Sequence, residues 1–122
     1  MAKRLIWLGL HPDVVDWEKW PSLSPEKLIK GAEATKELLA SEGYEVTIGF
    51  VKTGEAGVEE ATALLEGDHY DLALIGAGVR KDDDQFLFFE KLINVIHTHA
   101  PSAKIAFNTN PNDTLDAVKR WI

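Results

Sequence analysis

The sequence predicts a three-layer α/β/α fold, with four parallel strands in the order 2-1-3-4 and helices on both faces. Three observations carry it. Four apolar runs alternate with capped, amphipathic helical segments. Two of the runs are apolar on both faces, as central strands covered from both sides must be, while the second alternates with a period of two. Each run ends in loop chemistry: Gly9-Leu10-His11-Pro12-Asp13, Lys52-Thr53-Gly54, Gly76-Ala77-Gly78-Val79-Arg80 and Asn108-Thr109-Asn110-Pro111. Right-handed crossovers with the alternating strand at an edge fix the strand order. The strand ends then converge on one rim, where ligands bind in this architecture.

Each element has its own local signal. Arg4 to Leu10 is nearly continuously apolar and reads as a central strand. Ser24-Pro25-Glu26 starts the first helix, with a hydroxyl cap, proline in the first turn and an acid at the positive dipole end. Leu28, Ala32, Thr35 and Leu39 share one of its faces, and Gly43 ends it. Tyr44, Val46, Ile48 and Phe50 alternate with Glu45, Thr47 and Gly49, which suits a half-exposed edge strand. A second helix is expected from Glu55 to Glu66, with Val58, Ala61 and Leu65 inward and Gly67 at its end.

Tyr70 to Ile75 is the third strand, again central. Asp82-Asp83-Asp84 then supplies caps for one long helix to about His99, stopped by Pro101. Phe86, Phe88, Phe89, Leu92, Ile93, Val95 and Ile96 give that helix more apolar surface than one sheet-facing stripe uses. Lys104 to Phe107 is the fourth strand, and Asn112 or Asp113 caps a last helix with Leu115, Val118 and Ile122 on one side. The apolar excess of the long helix and the open edge of the fourth strand predict a homodimer.

The totals bound the function classes. A length of 122 residues suits one domain, spanning 1–122, with a real core. Thirteen basic against 20 acidic residues leave a net charge of −7, the wrong balance for nucleic acid. No cysteine is present, which excludes disulfides, thiolate catalysis and thiolate metal ligation. The first apolar run is too short to span a membrane and no cleavage signal follows it, so the expectation is a cytoplasmic protein without a membrane partner.

The element order resembles the flavodoxin-like class and, within it, the receiver domain of bacterial response regulators without the fifth strand and helix. The resemblance implies a scaffold rather than a phosphorelay. Asp71-Leu72-Ala73-Leu74-Ile75-Gly76 matches the receiver's third strand, but Gly76 stands where the phospho-acceptor aspartate belongs. Leu8-Gly9-Leu10 lacks the acidic pair for Mg²⁺, and only Thr109 matches, at the hydroxyl position. Gly9-Leu10-His11-Pro12-Asp13 keeps only the histidine of the Asp-x-His-x-x-Gly turn of cobalamin-binding domains, and it lacks the Ser/Thr-rich phosphate loop of flavodoxins. No cofactor is expected.

Candidate site residues follow from the rim. Gly76 and Gly78 let backbone approach a ligand, and Arg80 could clamp a carboxylate or phosphate, or else pair with Asp82 to Asp84. His11 is placed for general acid or base work with Asp13 to orient it, unless it is a merely solvated histidine. Asn108 suits a polar ligand; Asn110 suits the turn before Pro111, or the ligand. His97 and His99, two apart on a helix, diverge and are expected in solvent rather than on a metal. The loop His11 to Leu23 exceeds the usual length of about two to six residues, and Trp17 and Trp20 make it a candidate lid or a packed strap. The expected function is binding of a small anionic or polar metabolite at the rim. The alternatives are a small lyase, isomerase or hydrolase using His11, and a protein-interaction module with an empty rim.

Overall fold

The computed structural model describes residues 2–122. A parallel sheet of strands β1 (Lys3–Leu10), β2 (Tyr44–Val51), β3 (Leu72–Ile75) and β4 (Lys104–Phe107) runs in the order β2-β1-β3-β4. It is the flavodoxin-like order with the alternating strand at one edge, as its period of two requires. Register aligns the strand ends: Leu10 lies opposite Val51, Leu8 opposite Ile75, and Ile75 opposite Phe107.

Two apolar layers sandwich the sheet. Ile6, Leu8, Ala73 and Ile75 pack against α2 (Gly54–Glu66) and α4 (Phe86–His99) through Ala61, Leu65, Phe88, Leu92 and Ile96. Leu5, Trp7, Leu72, Leu74 and Ala106 pack against α1 (Pro25–Ser41) and α5 (Thr114–Lys119) through Ala32, Leu39, Ala117 and Val118. Alternate side chains of β1 thus feed opposite layers, as strand geometry demands. The α1 start has the expected cap: the Lys27 N–H donates to Ser24 Oγ at 3.2 Å, with Pro25 in the first turn. Gly43, just beyond α1, takes the left-handed conformation at φ 91° that a helix stop uses. Among the described residues no helix is long and apolar enough to cross a membrane.

Three elements differ from expectation. Tyr70 lies outside β3 but is buried in the α2/α4 layer. The long helix expected after the three aspartates is α4, but it is entered through a 3-10 turn at Asp83–Gln85, and a short helix with no counterpart in the expected elements, α3 (Ala77–Arg80), precedes it. Asp82 caps that 3-10 turn, its carboxylate accepting the Asp84 N–H at 3.0 Å, rather than α4 itself. At the last helix Asp113 holds the expected N-cap position of α5 but makes no side-chain cap bond there; the side-chain caps lie one turn earlier, where Asn110 accepts from Asn112 N–H at 2.8 Å and Asp113 reaches back to the Thr109 and Asn110 N–H groups. That capping box opens a 3-10 turn at Pro111–Asp113, so α5 begins only at Thr114.

Candidate functional site

The strand order reverses between β1 and β3, and a cavity of about 140 Å³ opens at the carboxyl ends there. Backbone geometry builds it. The Gly76 N–H donates to Leu8 O at 2.9 Å, drawing the turn after β3 onto the end of β1. The His11 N–H donates to Val51 O at 2.8 Å and starts the long loop away from β2. Trp7, Gly9 and Leu10 of β1, Phe50 of β2, Gly76 to Gly78 and Asn108 form the floor and one side. Val15, Trp17, Trp20 and Leu23 of the loop, with Leu28 and Pro111, close the other. None of these residues is charged.

The loop is strapped across the rim rather than loose. Two 3-10 turns, Pro12–Val14 and Trp17–Lys19, shape it, and the Trp17 indole N–H donates to Pro12 O at 3.1 Å. Lys19 then crosses to the turn after β3 and binds Asp82 at 2.5 Å and Asp84 at 2.7 Å. The Lys19 ammonium holds the buried Asp82 carboxyl below the usual carboxylate range, while burial works against it. In return the bonds to Asp82 and Asp84 push the Lys19 ammonium above its ordinary value. The loop thus acts as both strap and wall, with Trp17 and Trp20 facing the cavity.

Gly76, Gly78 and Asn108 are brought together in the wall; Arg80, His11, Asp13 and Asn110 are not among the lining residues. Arg80 pairs with none of Asp82 to Asp84. Its Nε donates to Ile75 O at 3.4 Å, its guanidinium carbon stands 5.3 Å from the centre of the Phe107 ring, and its Nη2 is buried without a partner. Burial pushes this guanidinium below its ordinary value, and the charge of Asp113 opposes that. Phe107 also receives Phe89 edge-on, with ring centres 5.6 Å apart, so an aromatic clamp holds Arg80 in place.

His11 caps the first turn of the loop. Its Nδ1 accepts the Asp13 backbone N–H at 3.1 Å, and the Asp13 carboxylate lies 3.6 Å from the same nitrogen. That bond places the proton of neutral His11 on Nε2 and engages the Nδ1 lone pair in the turn. Asn110 is committed to its turn. Thr109, the one receiver-like residue, donates its hydroxyl proton to Asp113 at 2.6 Å. Burial pushes the Asp113 carboxyl up, but the Thr109 hydroxyl and the Thr109 and Asn110 N–H groups hold it below the usual range overall. His99, expected in solvent, faces Glu66 of α2 at 3.3 Å.

Asn108 is the polar residue of the wall. It is 1 % exposed, its Nδ2 donates to Thr114 Oγ1 at 3.0 Å, and its Oδ1 is buried with no partner. The Thr114 hydroxyl gives its only proton to Pro111 O at 2.8 Å, so it accepts from Asn108. The unpartnered atom of the amide is therefore an acceptor. Sequence reasoning reached Asn108 but missed Trp7 and Phe50, whose apolar strand positions look like ordinary core.

Compared with models of known protein families and with curated proteins, the chain matches none. Its function has to be read from its own geometry.

Proposed function

We propose that this protein is a receiver-like, non-phosphorylated α/β domain that binds a small molecule at the carboxyl ends of β1 and β3. The observation that carries the reading is the uncharged, aromatic-walled cavity at the strand-order reversal, with an unsatisfied buried acceptor on Asn108 in its wall. Pockets for small molecules are mostly apolar, with a few placed polar groups, and occur at such reversals. A small polar metabolite fits through a polar end at Asn108. A fully anionic one has less support, because Arg80 is held at Phe107 and Lys19 is held by two aspartates. Acid–base chemistry at His11 forms no part of the reading, since its Nδ1 serves the turn.

Saturation-transfer NMR against a mixed panel of aromatic, aliphatic, carboxylated and phosphorylated small molecules tests it. Gly78→Phe is the control: Gly78 lines the cavity and a Cβ there meets nothing within 4 Å, so a bulky ring is expected to obstruct the mouth while sparing the core. Binders lost in Gly78→Phe support the rim. A panel without binders, or binders indifferent to the plug, overturns it.

Self-association belongs to the same proposal. Phe86 and Leu87 are 60 % and 67 % exposed at the start of α4, and Phe107 stands on the open β4 edge. Contact through these side chains is favoured over strand pairing, because Lys104 is exposed on that edge and Arg120 donates to Phe107 O at 3.0 Å. Sedimentation velocity of wild type and Leu87→Glu is expected to show a dimer lost in the variant; a concentrated wild-type monomer removes self-association.

A further inference from the structure

We infer that the rim cavity selects an uncharged aromatic molecule carrying one N–H or O–H donor, which it places on Asn108 Oδ1. This rests on the reading of the cavity as a ligand site and names the class of ligand. Four features of the wall converge on it.

Size comes first. A cavity of about 150 Å³ holds a benzene ring, and this one, at about 140 Å³ and open at its mouth, takes one ring with a second protruding. Shape and chemistry come next. Trp7, Trp17, Trp20 and Phe50 present aromatic groups from both the sheet and the strap, and planar rings stack or meet them edge-on better than aliphatic bodies do.

Charge is the third feature. No lining residue is ionised, Lys19 and Arg80 are bound elsewhere, and the chain carries a charge of −7. A carboxylate or phosphate entering the cavity loses its water and finds no counter-charge. Polarity sets the last feature. Because Asn108 Nδ2 is taken by Thr114, whose own proton goes to Pro111, only Oδ1 lacks a partner among the described residues; it can accept but not donate, and being sealed from water it is reached by a ligand's donor only as the cavity wall gives way. A ligand that merely accepts gains nothing there. A donor removes the cost of a buried, unmatched acceptor, and one such hydrogen bond is worth about tenfold in affinity.

The test compares indole with 1-methylindole, which differs by loss of the N–H, and with cyclohexanol, a donor without a ring, and indole-3-acetate, a ring with a charge. Each is titrated into ¹⁵N-labelled protein, following the Asn108 side-chain amide and the backbone amides of Gly76, Gly78 and the 11–23 loop. Indole is expected to bind about tenfold or more tightly than each of the other three and to move the Asn108 amide signals. In Asn108→Leu the preference of indole over 1-methylindole is expected to vanish.

Should that variant fail to fold, the Asn108 amide response in the wild type still decides. Equal binding of indole and 1-methylindole at the rim, with a silent Asn108 amide, overturns the donor inference and leaves the rim reading standing. Equal or tighter binding of cyclohexanol overturns the aromatic part, and tighter indole-3-acetate overturns the neutral part. If none of the four moves a rim amide, this inference falls, and the broader panel with its Gly78→Phe control judges the rim reading separately.

Discussion

Gly57, inside α2, has a backbone that touches another strand end: a Cβ there falls 1.8 Å from Lys52 O and 2.9 Å from the Phe88 ring. Helix propensity alone favours Gly57→Ala by about 1 kcal/mol, but the clash forces α2 away from the end of β2, an overpacking cost of about 1–3 kcal/mol or more. Sterics decides the sign, so we expect Gly57→Ala to lose stability, seen as a lower urea midpoint with an unchanged slope. Asn108→Leu runs the other way. It removes one hydrogen bond to Thr114 but also an unmatched buried acceptor, so it is expected to gain about 1 kcal/mol in the same assay while losing donor recognition. A loss of stability there would mean that Oδ1 already has a partner. At this scale Asn110 was legible, because Asn-Pro with an acid after it has a local reason to turn. Arg80 was not: its direction is set by Phe107 on β4, 27 positions away, and no local pattern carries that contact.

The strap from His11 to Leu23 has two 3-10 turns and no longer element, and its charged hold on the rim is a single cation on two carboxylates. The pH dependence follows from the two shifts. Asp82 titrates below its ordinary value when folded, so its contribution is present above its unfolded pKa of about 3.9 and is lost as pH falls through the folded value. Lys19 titrates above its ordinary value, so its contribution is present below about 10.4 and lost as pH rises through the folded value. The ion pair is therefore expected to hold the strap at full strength from about pH 4 to pH 10 and to weaken beyond both limits. Tryptophan fluorescence should report Trp17 and Trp20 moving into water below about pH 4, and in Lys19→Met that change should already be present at neutral pH. A Lys19→Met spectrum identical to wild type at pH 7 would show that the apolar packing of Val14 and Val15 holds the strap alone. Strands and capped helices were legible because period and cap lie in adjacent residues. The Ala77–Arg80 turn was not, since four residues are too few to show a period, and Asp82 was legible as a cap but not as the anchor of the strap, because the lysine that engages it is 63 positions away.

At the scale of the whole molecule the two ends of the sheet do opposite things. At the amino end the Arg4 side chain binds Glu45 at 2.8 Å and Asp68 at 2.5 Å, while its N–H donates to Asp71 at 2.9 Å, so the polar groups there satisfy one another. At the carboxyl end Leu28 of α1, the strand tips and the strap surround a space that none of them fills. The strand order, readable from the apolar runs, located this end; the missing volume was unreadable because it depends on where Trp7, Phe50 and the strap come to rest. Regions held by few packed contacts open at lower cost than the core, so the strap and the turn after β3 should exchange amide hydrogens faster than α2 and α4. Saturating indole should slow exchange in segments 11–23 and 76–81 and leave Arg4, Glu45 and the 66–71 turn unchanged, because a ligand protects what it must order. Protection spread evenly over the molecule would instead mark general stabilisation without a rim site, and protection at the amino end would place the ligand against the Arg4 cluster, at the opposite end of the strands from Asn108.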